Sequence, residues 1–232
     1  MKIFGIADKA YVINLTRRPD RLETVNREFA RIGIAVERFE AVDVRDDTGR
    51  YRYPAELGCK LSHLTLLNNA KKNGCRRVLI FEDDVRFSNN FSKVIGEVIS
   101  QLSRIPKWDI FLLGGNGRNR RTPFNTPNIV MTRFFINIHA YIANVDTLLY
   151  KINLLKPNYK PIDVVFGNGS NDIRKPIIAY AARPALAIQR DDFSDIRERH
   201  SGEEYENGRE NYQIDVSGQP EQFGKVVEYE VS

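Results

Sequence analysis

The chain has 232 residues, of which 42% are hydrophobic and 28% are charged, a balance typical of one large soluble domain or two small ones. Its net charge of +5 allows attraction to phosphate, anionic lipid or nucleic acid without choosing among them. We expect no transmembrane helix and no secretory signal, and two cysteines without a CxxC pair argue against a disulfide framework or a structural zinc site.

The first half of the chain alternates predicted strands with predicted helices. Apolar periodicity and Pro or Gly breakers predict strands at 11–15, 35–42, 78–81 and 108–113, and helices at 19–33, 56–74 and 91–102. The polar segment 43–54 is predicted to be a loop. This alternation favours an α/β fold with a mainly parallel sheet and helices on both faces.

The second half is less regular. Residues 114–128, which include the basic run GGNGRNRR, are predicted to form a mobile loop over a phosphate or an acceptor. Further elements are expected as β-rich structure at 129–143, a helix at 146–155 and strand at 177–188. We expect one domain over residues 1–196 and a polar C-terminal extension over 197–232.

Three consecutive carboxylates, Glu82, Asp83 and Asp84, follow the apolar run 78–81. That run is typical of a strand buried on both faces, and ligands of open α/β sheets bind where strands end. Clustered carboxylates at such a place suggest a hard cation such as Mg²⁺ or Mn²⁺, held partly by a substrate's phosphates. The alternative is a solvated turn or a set of helix caps.

Three segments in this order resemble glycosyltransferase family 25, which includes lipooligosaccharide and collagen galactosyltransferases. They are VINLTRRPDR at 12–21, GCKLSHLTLL at 58–67 and LIFEDDV at 79–85. Weaker matches follow in HAYIANVDTLLYKI, PIDVVF, RPALAIQ and FSDI, so the likeness spans about residues 10–196. The resemblance implies a GT-A-like, nucleotide-sugar-binding α/β sandwich.

The resemblance also implies metal ligands for a UDP-sugar diphosphate. Asp84 is the first candidate ligand of Mn²⁺ or Mg²⁺ and Glu82 the second, although either side chain can contact the ribose instead. Asp83 points elsewhere or reaches the metal through water. His139 is a candidate to complete the coordination, against a purely structural role.

Other candidate donor-binding residues follow the first strand or lie on the second helix. The guanidinium groups suited to bind phosphate or base edges are those of Arg17, Arg18 and Arg21, although Arg18 and Arg21 also fit a solvated helix face. Asn14 is expected either to contact the nucleotide or to cap the strand end. On the second helix, the side chains expected to face inward are those of Leu57, Leu61 and Leu64. Ser62 and His63 are expected on the flank of the helix, where they would shape the donor site, and Cys59 is expected in core packing.

An inverting transferase needs a base for the acceptor hydroxyl. Asp163 is the first candidate and Asp195 its rival, and either can instead bind acceptor or cap a helix. The expected function is metal-dependent transfer of a hexose, with galactose first, from a UDP-sugar to an acceptor glycan or glycolipid, as in lipopolysaccharide biosynthesis.

Two alternatives belong to other classes: a catalytically silent nucleotide-sugar or glycan-binding module, and a nucleic-acid-binding protein suggested by charge alone. No specific nucleic acid partner is expected, because no recognised motif is present. The expected location is cytoplasmic, with at most peripheral contact to the inner membrane surface.

Overall fold

The computed structural model describes residues 2–45, 54–123, 125–155, 161–170, 172, 175–190, 193–194 and 199–200. Its helices are α1 Pro19–Ile32, α2 Pro54–Lys72, α3 Phe91–Ser103, α4 Val145–Leu154 and α5 Ile162–Gly169. Its strands are β1 Lys9–Asn14, β2 Glu37–Glu40, β3 Arg77–Glu82, β4 Val85–Phe87, β5 Ile110–Arg121, β6 Ile129–Asn144, β7 Ala179–Ala182, β8 Ala187–Gln189, β9 Phe193–Ser194 and β10 Arg199–His200.

The central sheet has six strands in the order β2-β1-β3-β6-β5-β7. Strand β1 pairs in parallel with β2 and β3, and β5 pairs in parallel with β7. Strand β6 runs antiparallel to its neighbours β3 and β5. Two small antiparallel pairs, β4–β8 and β9–β10, lie outside this sheet.

Alternate residues of the sheet strands build two hydrophobic cores, one on each face. In β3, Leu79 and Phe81 pack with α1 and α3, whereas Val78 and Ile80 pack with α2, α4 and α5. All four side chains are buried, as the continuous apolar run predicts for a strand covered on both faces. The predicted α/β class, with a mainly parallel central sheet and helices on both faces, is therefore confirmed.

Some predicted boundaries are wrong. Strand β5 does not end at Leu113 but continues to Arg121, where a loop was predicted, because it pairs with β6 through several register shifts. Helix α5 was not predicted, and the strand expected at 177–188 is divided into β7 and β8. Most of the loop predicted at 43–54 and the predicted domain boundary at 196 lie outside the described residues.

The buried face of α2 also differs from the predicted one. Leu61 is exposed, while Ser62 and His63 are buried together with Leu66 and Leu67. Of the helices in the described part of the chain, none has the length and apolar character needed to cross a bilayer.

Gly114 allows a close approach of β5 to β8 and to the His139 ring. A Cβ at this position would lie 1.9 Å from the Ala187 carbonyl oxygen and 2.7 Å from His139 Nε2. A Cβ on Gly96, inside α3, would meet no heavy atom within 4 Å. The two glycines therefore differ in their tolerance of the same substitution.

We expect Gly114→Ala to lower the free energy of unfolding by at least about 1–3 kcal/mol, because strand β8 must move to make room. The matched Gly96→Ala should raise it by roughly 0.5–1 kcal/mol, the usual gain for alanine inside a helix. Urea unfolding followed by circular dichroism measures both. Equal stability of Gly114→Ala and the unsubstituted protein would contradict the close approach.

Candidate active site

A pocket lies at the carboxyl ends of the parallel strands β1 and β3. Its empty volume is about 710 Å³, part of which is open to solvent. It is lined by Ile13, Leu15, Arg17, Arg21, Ala41, Val42, Asp43, Val44, Ala55, Cys59, Ser62, His63, Glu82, Asp83, Asp84 and Gln189. The acidic run therefore faces a cavity where a ligand of an α/β sheet is expected to bind.

Asp83 is held by two donors, one from the last residue of β1 and one from the first turn of α1. Arg21 Nη1 donates to Asp83 Oδ1 at 2.7 Å, and Asn14 Nδ2 donates to Asp83 Oδ2 at 2.8 Å. Asn14 also donates to the Arg18 carbonyl oxygen and accepts from Arg38 Nε. Both Asn14 and Asp83 are therefore part of a buried support for the pocket wall.

Asp84 is equally buried but less completely bonded. Its Oδ2 accepts from Gln189 Nε2 at 2.9 Å and from Arg21 Nη2 at 3.5 Å. Its Oδ1 is buried and has no hydrogen-bond partner among the described residues. Burial, followed by the charge of Glu82, raises the pKa of Asp84 above its ordinary value. A cation near Oδ1 would satisfy this oxygen and favour the ionised form.

Glu82 is connected to a buried histidine and tyrosine. His63 Nε2 lies 3.2 Å from Glu82 Oε1, and His63 Nδ1 lies 2.8 Å from the Tyr141 hydroxyl. Burial acts to raise the pKa of Glu82, but the hydrogen bond and charge of His63, with the charges of His139 and Arg21, lower it overall. Glu82 is therefore held as a carboxylate at the pocket.

His139 lies on β6, one residue from Ala140, which pairs with Phe81 of β3. Its side chain is buried, and neither ring nitrogen has a hydrogen-bond partner in the described part of the chain. It is close enough to Glu82 and Asp84 to affect their pKa values. The three predicted metal ligands thus come together, with buried, unpartnered atoms on two of them.

The three predicted arginines have different surroundings. Arg17 lines the pocket and its Nε contacts Asp43 Oδ2 at 3.3 Å, while Arg21 lies between Asp83 and Asp84. Arg18 instead pairs with Asp20, whose pKa it lowers to about 2, and it does not line the pocket. Arg17 and Arg21 are therefore the better placed for a phosphate.

Ser62 lines the pocket but its hydroxyl is engaged. It accepts from the Val42 backbone N–H at 2.8 Å and donates to the Gly58 carbonyl oxygen at 2.7 Å. Ser62 therefore ties α2 to the segment that follows β2. Its position supports a role in shaping the pocket.

Asp163 is near the amino end of α5 and does not line the pocket. Its Oδ2 accepts from the Asn137 N–H at 3.1 Å and its Oδ1 from the Val164 N–H at 2.7 Å. It lies close enough to raise the pKa of Cys59. Asp195 lies outside the described residues.

Sequence reasoning missed four residues that shape this site. Gln189 holds Asp84 from β8, Tyr141 holds His63, and Arg38 holds Asn14. Cys59, predicted as core packing, packs against the core on one side and lines the pocket on the other. Only the helical spacing of Cys59 and His63, four residues apart, could have indicated a shared face.

Replacing Arg21 should be far more costly than replacing an exposed arginine. The side chains of Arg21 and Asp83 are 10% and 9% exposed, so Arg21→Ala leaves buried carboxylates without their cation and should cost about 3–5 kcal/mol of unfolding free energy. Arg27→Ala removes only an exposed pair with Glu23 and should cost less than about 0.5 kcal/mol. Urea unfolding at neutral pH compares them, and similar losses would refute the buried pair.

A second expectation concerns pH. Burial raises the pKa of Asp83 from 3.8 to about 6; the charges of Asp84 and Glu82 add to this, while Arg21 and Asn14 oppose it. Between these two values the folded state binds more protons than the unfolded state, so the contribution of Asp83 to stability falls as pH rises.

Asp83→Asn cannot ionise and should lack this part of the pH dependence. Its unfolding free energy relative to the unsubstituted protein should therefore rise by about 3 kcal/mol between pH ~4 and pH ~7, since each pKa unit corresponds to about 1.4 kcal/mol. A poorer fit of the new amide to its hydrogen-bond donors would lower the unfolding free energy equally at every pH, so it does not change this expected rise. A difference that stays constant across this range would contradict the raised pKa.

Comparisons with known proteins show similarity to one family of glycosyltransferases. The model of "Glycosyltransferase family 25 (LPS biosynthesis protein)" matches residues 54–158. A glycosyltransferase 25 family member of Drosophila melanogaster is 27% identical over 214 residues, which cover 77% of this chain and 35% of the fly protein. The human inactive glycosyltransferase 25 family member 3 is 26% identical over 215 residues, covering 78% and 36%.

The chain thus spans about a third of the length of these relatives. A crystal structure of a glycosyltransferase involved in glycosylation of the major capsid of PBCV-1 aligns with a TM-score of 0.45 and 11% identity, over 80% of this chain and 93% of that one. The matched segment 54–158 contains Ser62, His63 and the run Glu82 to Asp84. The chain is therefore similar to glycosyltransferase family 25, most clearly over residues 54–158.

Proposed function

We propose that this chain transfers a hexose, galactose in the first instance, from a UDP-sugar to an acceptor glycan in a metal-dependent reaction. The observation that carries the proposal is the grouping of two buried side chains, Asp84 and His139, with the half-buried Glu82 beside the pocket. Asp84 Oδ1 and both ring nitrogens of His139 lack partners among the described residues. Leaving such atoms unsatisfied costs about 1–3 kcal/mol each, so a ligand that satisfies them is favoured.

The donor set fits a divalent cation. Asp84, Glu82 and His139 would offer carboxylate oxygens and one imidazole nitrogen, which suits Mn²⁺ better than Mg²⁺ because Mg²⁺ uses oxygen ligands almost exclusively. A divalent cation bound here supplies Lewis-acid stabilisation of the negative charge on a departing diphosphate. Asp83 is bonded to Arg21 and Asn14, which supports an indirect role.

The protein's own side chains would bind and orient the donor. Arg17 and Arg21 line the pocket and would contact the diphosphate with charge-assisted hydrogen bonds. Asn14 and Asp83 would keep Arg21 in place, and His63 would keep Glu82 oriented. Arg18 would contribute only after leaving Asp20.

An acceptor hydroxyl must lose a proton during transfer. Asp163 remains our first candidate for the base and Asp195 the second. Two backbone N–H groups, those of Asn137 and Val164, would fix the orientation of the Asp163 carboxylate. We propose as acceptor a cell-surface saccharide such as a lipooligosaccharide, reached from the cytoplasmic side with at most peripheral membrane contact.

The direct test is a panel of sugar nucleotides, assayed for UDP release with Mn²⁺ and with a chelator. UDP-galactose with Mn²⁺ should be turned over, and Asp84→Asn should lower this rate by about 10²–10³-fold, as for loss of one electrostatic contact in a transition state. The matched control is Asp146→Asn, which removes an exposed carboxylate paired with Lys71 and should leave the rate unchanged.

Full turnover in the chelator would refute the metal requirement. Equal rates for the two asparagine variants would refute the role of Asp84. Circular dichroism of both variants shows whether a loss of rate reflects unfolding.

A second candidate function is nucleotide-sugar or glycan binding without catalysis. It is supported by relatives of similar identity named inactive glycosyltransferase 25 family member 3 in human and mouse. Calorimetric binding of UDP, combined with no UDP release from any donor in the panel, would favour this function. Turnover of any donor would exclude it.

A further inference from the structure

A second group of potential metal ligands lies on the pocket wall. Cys59 and His63 lie four residues apart on α2, so both side chains extend from the same face of the helix. Glu82, at the end of β3, completes the group. One ligand atom from each of the three residues lies within 4.8 Å of the other two, and all three residues line the pocket.

We propose that Cys59, His63 and Glu82 form a binding site for Zn²⁺. Thiolate, imidazole and carboxylate together are the donor set that a borderline-soft cation prefers, whereas Mg²⁺ and Mn²⁺ favour oxygen. Three protein ligands would leave one coordination position for water or a phosphate oxygen from the pocket that all three residues line. The site shares Glu82 with the proposed Mn²⁺ site but uses neither Asp84 nor His139.

The partner of His63 suits metal binding. Metal-bound histidines usually have their second ring nitrogen held by an outer hydrogen bond. His63 Nδ1 lies 2.8 Å from the buried Tyr141 hydroxyl, and the Tyr141 and His63 rings stack at 5.7 Å between centroids. A phenol can donate or accept, so either tautomer of His63 is satisfied. His63 Nε2 can therefore bind a cation without leaving Nδ1 unpaired.

Binding has a defined proton balance. Burial, and then the charges of Glu82 and Asp163, raise the pKa of the Cys59 thiol well above its ordinary value, so the metal-free residue is a thiol. Zn²⁺ displaces this proton to solvent, and the proton on His63 is then carried by Nδ1. Zn–S, Zn–N and Zn–O bonds replace the His63–Glu82 contact of 3.2 Å.

Zn²⁺ at this site would occupy part of the pocket and withdraw Glu82 from Asp84 and His139. Zn²⁺ bound here would inhibit glycosyl transfer, and this consequence rests on the proposed function. The binding of Zn²⁺ does not rest on it, because binding requires only the three side chains. Nucleotide and turnover are therefore left out of the test.

The test uses the full chain, freed of metal, and Co²⁺ as a spectroscopic substitute for Zn²⁺. A thiolate bound to Co²⁺ gives a charge-transfer band in the near ultraviolet, which an oxygen–nitrogen site does not. We compare the unsubstituted protein with Cys59→Ala, Asp84→Asn and the matched control Cys75→Ala, which changes a buried cysteine outside the pocket lining.

We expect one equivalent of Co²⁺ to produce the band in the unsubstituted protein, in Cys75→Ala and in Asp84→Asn, and Zn²⁺ to abolish it. Cys59→Ala should lack the band and bind Zn²⁺ at least tenfold more weakly, since loss of even an outer partner costs roughly 10–100-fold. No band in the unsubstituted protein, or a band that survives in Cys59→Ala, overturns the proposal. So does a band that requires Asp84.

A second measurement needs no variant. Zn²⁺ should slow alkylation of Cys59 at least tenfold, with Cys75 alkylation in the same molecules as the reference, both followed by mass spectrometry. Equal alkylation rates of Cys59 with and without Zn²⁺ would overturn the proposal. Failure of glycosyl transfer alone would leave both the cobalt band and this protection intact, so the two proposals fail separately.

Discussion

The pocket depends on one guanidinium buried between two carboxylates. Arg21 contacts Asp83 at 2.7 Å and Asp84 at 3.5 Å, and Glu82 adds a third negative group one residue earlier. Carboxylates this close repel one another strongly when buried. Arg21 offsets part of this repulsion, while the raised pKa values of Asp83 and Asp84 show that burial still opposes their charges. Additional positive charge at this place is therefore favourable.

The sheet topology explains why the remaining ligands meet these carboxylates. Strands β1 and β3 are parallel neighbours, so Asn14 and Glu82 reach the same edge. Antiparallel strand β6 then carries His139 to that edge from the opposite direction. Because Gly114 has no side chain, β8 and the His139 ring can both approach β5. The pocket is thus built from segments far apart in the sequence.

Glu82 connects two chemically different donor sets. On one side Asp84 and His139 offer atoms that have no partner among the residues the structure describes, and on the other Cys59 and His63 share a helix face. The first set is richer in oxygen and the second contains sulfur, so different cations are favoured at each. Similarity to family 25 alone does not distinguish these possibilities, since the relatives include a protein named a family member and a protein named inactive at nearly the same identity.

The sequence by itself determined the elements whose signals are local. Three such signals depend only on near neighbours in the sequence: the apolar run 78–81, Pro19 at the start of α1, and Gly33 at the end of α1, which adopts the left-handed conformation. The ordered motifs likewise indicated the family. Only the tertiary structure decided the continuation of β5 to Arg121 and the inward face of α2, because pairing with β6 and packing against the sheet override local preference. The same long-range packing brought Gln189 and His139 to the carboxylates and Tyr141 to His63, and no spacing along the chain encodes such contacts.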